Sequence, residues 1–239
     1  GVKKGTYYLV VTHDVENDEV FNEKYSTQVN FTADGYTEFE NNETTGTATP
    51  ILLKRTYNGM MSMNADVDYY KVNLAANANI TLNMSQAPST ILKVTIANSK
   101  NGTIKTLFTK KGKSSMVSLG NVNLPKGTYY VRVQYSSGSA EQVPYKLQLQ
   151  PKIYWGKVEY KPGMKGKTVA VSTSTIYKLK SGKLYYYKNV AKGTETPVYY
   201  IDSKYGYKIA EGLYMKKNST VKYYTVPSSI ISAYNAVNK

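Results

Sequence analysis

Short segments in which apolar and polar residues alternate recur along the middle of the chain. The clearest are residues 68–74, 79–84, 92–98, 103–109, 116–119, 128–134 and 145–150. Alternation with a period of two residues is typical of a β-strand that buries one face. Clusters of Gly, Asn, Pro and Ser separate the segments, as at Lys100-Asn101-Gly102. Seven strands spaced in this way predict a β-sandwich.

One of these strands has a near copy at the start of the chain. Residues 4–11 match residues 126–133 at an offset of 122 positions. In both copies a Lys-Gly turn leads into a Tyr- and Val-rich run, and an alternating strand follows after a polar loop, which is typical of hairpins. We therefore predict that residues 1–36 hold the C-terminal strands of a truncated first repeat, and that residues 37–150 form one complete copy.

The pattern changes at Pro151. Tyr and Lys now interleave densely, and Gly-containing turns such as Pro162-Gly163 and Lys192-Gly193 separate short apolar runs. Strands of this length between tight turns predict a small β-barrel in residues 151–239. Near the end, apolar residues at positions 230, 231, 234 and 237 have helical spacing, which predicts a short C-terminal helix. The predicted fold class is all-β, a jelly-roll-like sandwich followed by a small barrel.

The composition restricts the chemistry that the chain can perform. It contains no Cys and one His, His13. Disulfides, thiolate nucleophiles and ordinary zinc sites are therefore excluded, and a Ser-His-Asp site would depend on that one His. We expect a protein without catalytic activity of its own. No run of about 18 apolar residues is present, so no transmembrane segment is predicted.

Charge is distributed unevenly along the chain. Residues 1–49 have a net charge of −6, residues 50–151 of +9 and residues 152–239 of +12. The last segment has only four carboxylates, at Glu159, Glu195, Asp202 and Glu211. Such an asymmetry predicts an anionic partner for the basic C-terminal part.

Residues 37–150 contain a series of short motifs, namely an acidic opening at 38–43, Ala48 with Pro50-Ile51, the run 66–70, a strand at 80–82 and a closing run at 124–130. Through these motifs the segment resembles the bacterial pre-peptidase C-terminal domain, which includes the collagen-binding domains of clostridial collagenases. Asn41 stands where the family has a proline. The resemblance implies a jelly-roll sandwich of a secreted protein.

In calcium-binding members of that family, the acidic opening and the Asp pair supply the oxygen ligands. The corresponding residues here are Glu38, Glu40, Asn42, Glu43, Asp66 and Asp68. Calcium prefers six to eight hard oxygen ligands, so these side chains suit it as a structural ion. The alternative is a solvated acidic linker in which Asp68 holds a turn.

Residues 151–239 contain five short motifs: Gly156-Lys157-Val158, residues 176–179, the turn at 192–193 before Pro197-Val198-Tyr199, and residues 212–217 and 221–223. With these motifs the segment looks like a bacterial SH3-like wall-targeting module. The likeness implies attachment of a Gram-positive secreted protein to peptidoglycan or to its anionic polymers.

The residue chemistry of this segment agrees with that implication, because aromatic faces bind sugars and lysines bind phosphate or carboxylate oxygens. The candidate aromatic residues are Trp155, Tyr185, Tyr187, Tyr200, Tyr205 and Tyr207. The candidate cationic residues are Lys183, Lys188, Lys204 and Lys208. The alternative is that the tyrosines pack in a barrel core and that the lysines protect exposed strand edges.

Three functional classes follow from these patterns. The first is attachment of a secreted or wall-associated protein to teichoic acid or peptidoglycan. The second is calcium-dependent binding of collagen or another matrix fibre by the sandwich. The third, nucleic-acid binding by a basic aromatic barrel, is disfavoured by the extracellular style of the sandwich. Residue 1 lies inside an apparent strand, so we expect a mature fragment of a longer protein, with any catalytic part upstream.

Overall fold

The computed structural model describes residues 8–11, 26–29, 36–62, 65–86, 89–112, 114–138 and 142–238. His13 and most of the predicted truncated repeat at 1–36 lie outside the described residues. The strands of the sandwich are β1 (Thr49–Pro50), β2 (Thr56–Met61), β3 (Val67–Leu74), β4 (Ala78–Gln86), β5 (Thr90–Asn98), β6 (Thr103–Phe108), β7 (Val117–Leu124), β8 (Gly127–Gly138) and β9 (Val143–Lys152).

Two sheets form the sandwich. One has five strands in the order β1-β3-β8-β5-β6, with β1 parallel to β3, and the other has four in the order β2-β9-β4-β7. All seven strands predicted from alternation are present, and the predicted all-β sandwich is confirmed. Strands β1 and β2 were not predicted, because neither has a clear alternation of apolar and polar residues.

Strand β4 shows how the alternation produces the core. Ile80, Leu82 and Met84 point inward and are almost completely buried, whereas Asn79 and Asn83 on the other face remain partly exposed. The inner faces of the two sheets supply one continuous core. Burial of one such aliphatic side chain stabilises the fold by about 1.5–3 kcal/mol.

The elements that follow β9 are here called the C-terminal module. They are β10 (Tyr154–Trp155), β11 (Val158–Glu159), β12 (Gly166–Ala170), β13 (Ser174–Lys180), β14 (Lys183–Val190), β15 (Glu195–Val198), β16 (Tyr200–Asp202), β17 (Gly206–Ala210), β18 (Leu213–Met215), β19 (Val221–Thr225) and α1 (Ser228–Val237).

The C-terminal module has two main sheets around a small core. Their strand orders are β15-β12-β19 and β14-β13-β18-β17-β16, and β10 pairs with β11 in a hairpin. Buried Ile176, Val198, Ile209 and Met215 form the shared core. Within residues 142–238 neither sheet closes on itself, so the predicted small barrel is not confirmed. The two sheets instead share one core.

Helix α1 confirms the predicted C-terminal helix. It begins after Pro227, whose backbone is extended, and it ends before Asn238. Ile230 and Tyr234 pack both against the sandwich core and against the cluster that contains Tyr160, and Val237 is buried in the sandwich core. The helix thus ties the C-terminal module to the sandwich. The division of the chain at residue 151 stays a prediction.

Candidate functional site

The acidic opening lies against one end of the sandwich. The backbone N–H of Glu38 donates to the carbonyl oxygen of Asn58 at 3.0 Å, and the N–H of Asn58 donates to the carbonyl of Tyr36 at 2.8 Å. These bonds hold the segment beside β2, across from Asp68 at the start of β3. Glu38, Glu40 and Asp68 therefore each place a carboxylate oxygen within 4.8 Å of the others. Glu38 and Asp68 are completely buried.

Two buried tyrosines orient these carboxylates. The Tyr70 hydroxyl donates to Oε2 of Glu38 at 2.9 Å, and the Tyr145 hydroxyl lies 3.2 Å from the same oxygen and 2.5 Å from Oδ2 of Asp68. Oε1 of Glu38 accepts the backbone N–H of Met60 at 2.6 Å. Burial, together with the neighbouring carboxylates, raises the pKa of both tyrosines well above its ordinary value, so both remain phenols that donate hydrogen bonds.

Gly59 on β2 makes this arrangement sterically feasible. A Cβ atom at position 59 would lie 2.3 Å from Cζ of Tyr145 and 2.6 Å from the hydroxyl oxygen of Tyr70. Both distances are far inside van der Waals contact. The two rings can therefore reach Glu38 only because β2 carries no side chain at this position.

Asn42 adds an amide oxygen to this end of the sandwich. Its side chain is completely buried, its Nδ2 donates to Oγ1 of Thr49 at 3.4 Å, and its backbone carbonyl accepts the N–H of Tyr69. No described residue donates a hydrogen bond to its Oδ1. A buried polar atom of this kind ordinarily has a partner, since leaving it unsatisfied costs about 1–3 kcal/mol.

These donors suit a hard cation. Three close carboxylates repel one another in a buried site unless positive charge is supplied, and carboxylate and amide oxygens are the ligands that Ca²⁺ prefers. Of the six residues predicted for calcium, the structure brings together Glu38, Glu40 and Asp68, with Asn42 buried on the neighbouring turn. Asp66 instead accepts the backbone N–H of Ser62, and Glu43 is exposed.

The predicted ligand residues of the C-terminal module fall into three places, of which the first is strand β14. This strand forms the edge of its sheet, and Tyr185 and Tyr187 are about half exposed, at 51% and 49%. Lys183 and Lys188 on the same strand are also exposed. Tyr186 on the same strand, which was not among the predicted residues, is 66% exposed.

The second place comprises β16, β17 and the turn between them. Tyr207 stacks on Tyr223 with 5.1 Å between ring centroids, so one of its faces is covered. Tyr205 packs edge-on against Tyr214, and Nζ of Lys204 lies 5.1 Å from the Tyr205 ring centroid. The rings of Tyr205 and Tyr207 therefore contribute, at least in part, to packing within the module.

A groove lies beside these two strands and has a volume of about 580 Å³. Its lining residues are Tyr199, Tyr200, Asp202, Lys208, Ala210, Glu211 and Tyr214. Tyr200 is 57% exposed, and Nζ of Lys208 forms an ion pair with Oε2 of Glu211 at 2.9 Å. Hydrogen bonding within this pair raises the pKa of Lys208 and lowers that of Glu211. The predicted set contained only Tyr200 and Lys208 of this groove.

Trp155 is the third place. Nζ of Lys167 lies 4.6 Å from the Trp155 ring centroid, and it donates a hydrogen bond to the backbone carbonyl of Trp155 at 3.1 Å. The same ammonium group donates to Oε2 of Glu195 at 2.8 Å, and this bond lowers the pKa of Glu195. One face of the indole is thus occupied by a lysine that ties the β10–β11 hairpin to β12 and β15.

The single helix of the described residues is far too short to cross a membrane.

No protein-family profile matches the chain, and no curated protein matches it either. Among solved structures, the chain is similar to the pre-peptidase C-terminal domain of a collagenase from Bacillus anthracis. The identity is 19% and the TM-score 0.36, over 43% of this chain and 94% of that domain.

Two further structures are carbohydrate-binding modules. One is a CBM36 module in complex with calcium and xylotriose, with 18% identity, a TM-score of 0.28, and coverage of 38% of this chain and 78% of the module. The other is the CBM36-1 domain of a multidomain xylanase from the hindgut metagenome of Trinervitermes trinervoides. Its identity is 17% and its TM-score 0.27, over 40% of this chain and 82% of that domain. Identities and TM-scores this low assign neither a family nor a ligand to the chain.

Proposed function

We propose that this chain is a non-catalytic attachment region of a secreted, wall-associated bacterial protein, and that its C-terminal module binds anionic cell-wall polymer. The surface that carries the proposal is the hairpin of β13 and β14, here called the cationic hairpin. Residues 174–193 contain five lysines and no carboxylate. Such a concentration of like charge attracts phosphate or carboxylate polymers through a term that salt weakens.

The exposed tyrosines of the cationic hairpin favour a role in ligand binding over a role in protecting the edge strand from pairing with another chain. Lysines alone are enough to keep an edge strand from pairing with another chain. Three consecutive half-exposed rings, Tyr185, Tyr186 and Tyr187, are not needed for that purpose. Rings exposed on both faces of a strand suit contact with the sugar or alditol units of a wall polymer. Teichoic acids supply such units together with phosphates, and the SH3-like resemblance of residues 151–239 points to the same Gram-positive ligand.

A pull-down of the full chain on purified Gram-positive cell walls tests this function. We expect retention at low salt, weaker retention as NaCl rises, and strong loss after teichoic acid is extracted. Replacing Lys178, Lys180, Lys183 and Lys188 by Gln should weaken retention by about tenfold or more. A matched variant with Lys100, Lys110, Lys111 and Lys146 changed to Gln loses the same charge from exposed sandwich positions. Equal loss in both variants, or no retention at low salt, contradicts the proposal.

The acidic cluster favours a second candidate, calcium-dependent binding of collagen or another matrix fibre by the sandwich. In this candidate Glu38, Glu40 and Asp68 hold Ca²⁺, with Oδ1 of Asn42 as a further donor. The ion would neutralise the clustered carboxylates and fix the acidic opening against β3. Retention of the chain on collagen peptides with CaCl₂, and its loss with a chelator, would support this candidate over wall attachment.

A further inference from the structure

The groove beside β16 and β17 differs in charge from the rest of the C-terminal module. Residues 152–239 hold sixteen lysines and four carboxylates, and two of those four, Asp202 and Glu211, line this groove. The other two are engaged elsewhere, since Glu159 pairs with Lys152 at 3.6 Å and Glu195 with Lys167 at 2.8 Å. The most cationic part of the chain therefore contains one depression in which carboxylates outnumber lysines.

That local charge argues against a phosphate ligand in the groove. Lys208 is its only lysine, and its ammonium group is already paired with Glu211. A phosphate entering here would approach Asp202 and Glu211, and like charges close together repel. The cationic hairpin and the groove are therefore suited to chemically different ligands.

The polar groups of the groove match a ligand that both donates and accepts hydrogen bonds. Lys208 donates, Glu211 accepts, and the tyrosine hydroxyls can do either. Asp202 uses Oδ1 to accept the N–H groups of Lys204 and Tyr205, at 2.7 and 2.9 Å, and no described residue donates to its Oδ2. A set of side chains that offers both donors and acceptors suits the hydroxyl groups of a sugar, which also do both.

The aromatic groups complete the chemistry of a sugar site. The Tyr200 ring is 57% exposed at the rim, and Tyr214 is buried at the base, where Tyr205 packs edge-on against it at 5.7 Å. Apolar faces of sugar rings pack on exposed aromatic rings of this kind. The volume of about 580 Å³ lies in the range of small-molecule sites.

We infer that this groove binds a neutral sugar unit of a glycan strand. The inference rests on the proposed wall attachment and adds a second, uncharged contact to it: the cationic hairpin binds the anionic polymer while the groove binds the glycan. An attachment that uses both contacts gains avidity without requiring high affinity from either one.

Titration of the full chain with an uncharged N-acetylglucosamine trisaccharide tests the inference, with binding followed by NMR or calorimetry. We expect weak binding that changes little between about 50 and 500 mM NaCl, because no charge on the ligand is screened. Tyr200→Ala and Asp202→Asn should each weaken it about fivefold or more. Asp202→Asn keeps a side-chain oxygen to cap the 202–205 turn, and thermal unfolding verifies that both variants fold.

Tyr224→Ala is the matched control, because it removes an exposed ring that belongs neither to the groove nor to the cationic hairpin. It should leave both the binding of the trisaccharide and the retention on teichoic-acid-containing walls unchanged. No binding of the trisaccharide by a chain that still binds walls overturns this inference alone, and so does preferential binding of the deacetylated, cationic oligosaccharide. Loss of wall retention at low salt overturns the proposed function instead, so the two failures are distinguishable.

Discussion

The hydroxyl oxygens of Tyr70 and Tyr145 lie 2.7 Å apart, and both are within hydrogen-bonding distance of one carboxylate oxygen of Glu38. The two rings come from opposite sheets, since Tyr70 belongs to β3 and Tyr145 to β9. The acidic opening is therefore held by both layers of the sandwich. A substitution in the acidic cluster of Glu38, Glu40 and Asp68 should therefore change the stability of the whole sandwich.

Calcium should stabilise the chain through this cluster. We expect added CaCl₂ to raise the thermal midpoint of a chelator-treated sample, because an ion that binds only the folded state stabilises it. At one hundred times the dissociation constant the gain is about 2.7 kcal/mol. Glu38→Gln and Asp68→Asn should abolish the calcium-dependent shift, which differential scanning calorimetry measures directly.

Glu43→Gln is the control for that experiment, because Glu43 belongs to the same acidic opening but is exposed. It removes the same charge and should leave the calcium-dependent shift nearly intact. An unchanged midpoint of the wild-type chain in CaCl₂ would rule out the calcium site. An equal loss of the shift in Glu43→Gln would show a diffuse charge effect.

Gly59→Ala should be strongly destabilising. The new methyl group would lie within 2.6 Å of both Tyr145 and Tyr70, and neither fully buried ring has room to move. Overpacking of this kind costs about 1–3 kcal/mol, and we expect the upper part of that range. Urea denaturation measures the loss. Gly46→Ala is the control, since its Cβ would meet only Oγ1 of Thr44 at 3.7 Å, and a similar effect of both substitutions would contradict the steric argument.

Alternation was enough to predict seven of the nine strands of the sandwich, β3 to β9. It could not predict that Tyr70 and Tyr145 serve the acidic cluster, because they are 75 positions apart and meet only through the pairing of the sheets. Gly59 was missed for the same reason. The resemblance found Glu38 and Asp68, but it also included Asp66, whose carboxylate accepts the backbone N–H of Ser62.

The sequence of the C-terminal module shows that it is rich in tyrosine, but it does not show which tyrosine rings are covered by neighbouring side chains. Period-two alternation does not show which side of a strand another sheet will cover. Tyr207 was predicted as a ligand residue and is found stacked on Tyr223, whereas Tyr186 was omitted and is exposed. Asp202 and Glu211 were not predicted as site residues, because they are nine positions apart in the sequence and line one groove only when β16, β17 and the turn before β18 are assembled.

The ion pair of Lys167 and Glu195 should make the stability depend on pH. The hydrogen bond from Lys167 lowers the pKa of Glu195 from the ordinary value of 4.5. Because the folded-state pKa lies below the unfolded one, the stabilisation is complete above pH 4.5 and is lost as the pH falls through the folded-state pKa. Glu195→Gln should cost about 2 kcal/mol near neutral pH, and the stability of the variant should decline less steeply than that of the wild type on acidification.

Glu211→Gln is the comparison for this pH experiment. Lys208 also lowers the pKa of Glu211, but the Glu211 side chain is 93% exposed, so solvent screens the pair. Pairs of this kind contribute little to stability, and we expect no measurable change in urea denaturation at any pH. Parallel pH profiles for Glu195→Gln and the wild type would show that the buried pair has no net role.

Helix α1 should couple the unfolding of the two parts of the chain. Tyr234 packs edge-on against Tyr160 of the C-terminal module, with 5.2 Å between ring centroids, and it also contacts the sandwich core, where Val237 is buried beside it. Since one short helix contacts both cores, we expect a single calorimetric transition for the wild-type chain. Tyr234→Ala removes the shared ring, should cost about 2–3 kcal/mol and should split the transition in two, because the weakened helix no longer connects the cores.

Ser232→Ala, at an exposed position of the same helix, should leave one transition at nearly the wild-type midpoint. Two transitions in the wild type, or one unshifted transition in Tyr234→Ala, would mean that the sandwich and the C-terminal module unfold independently of this contact.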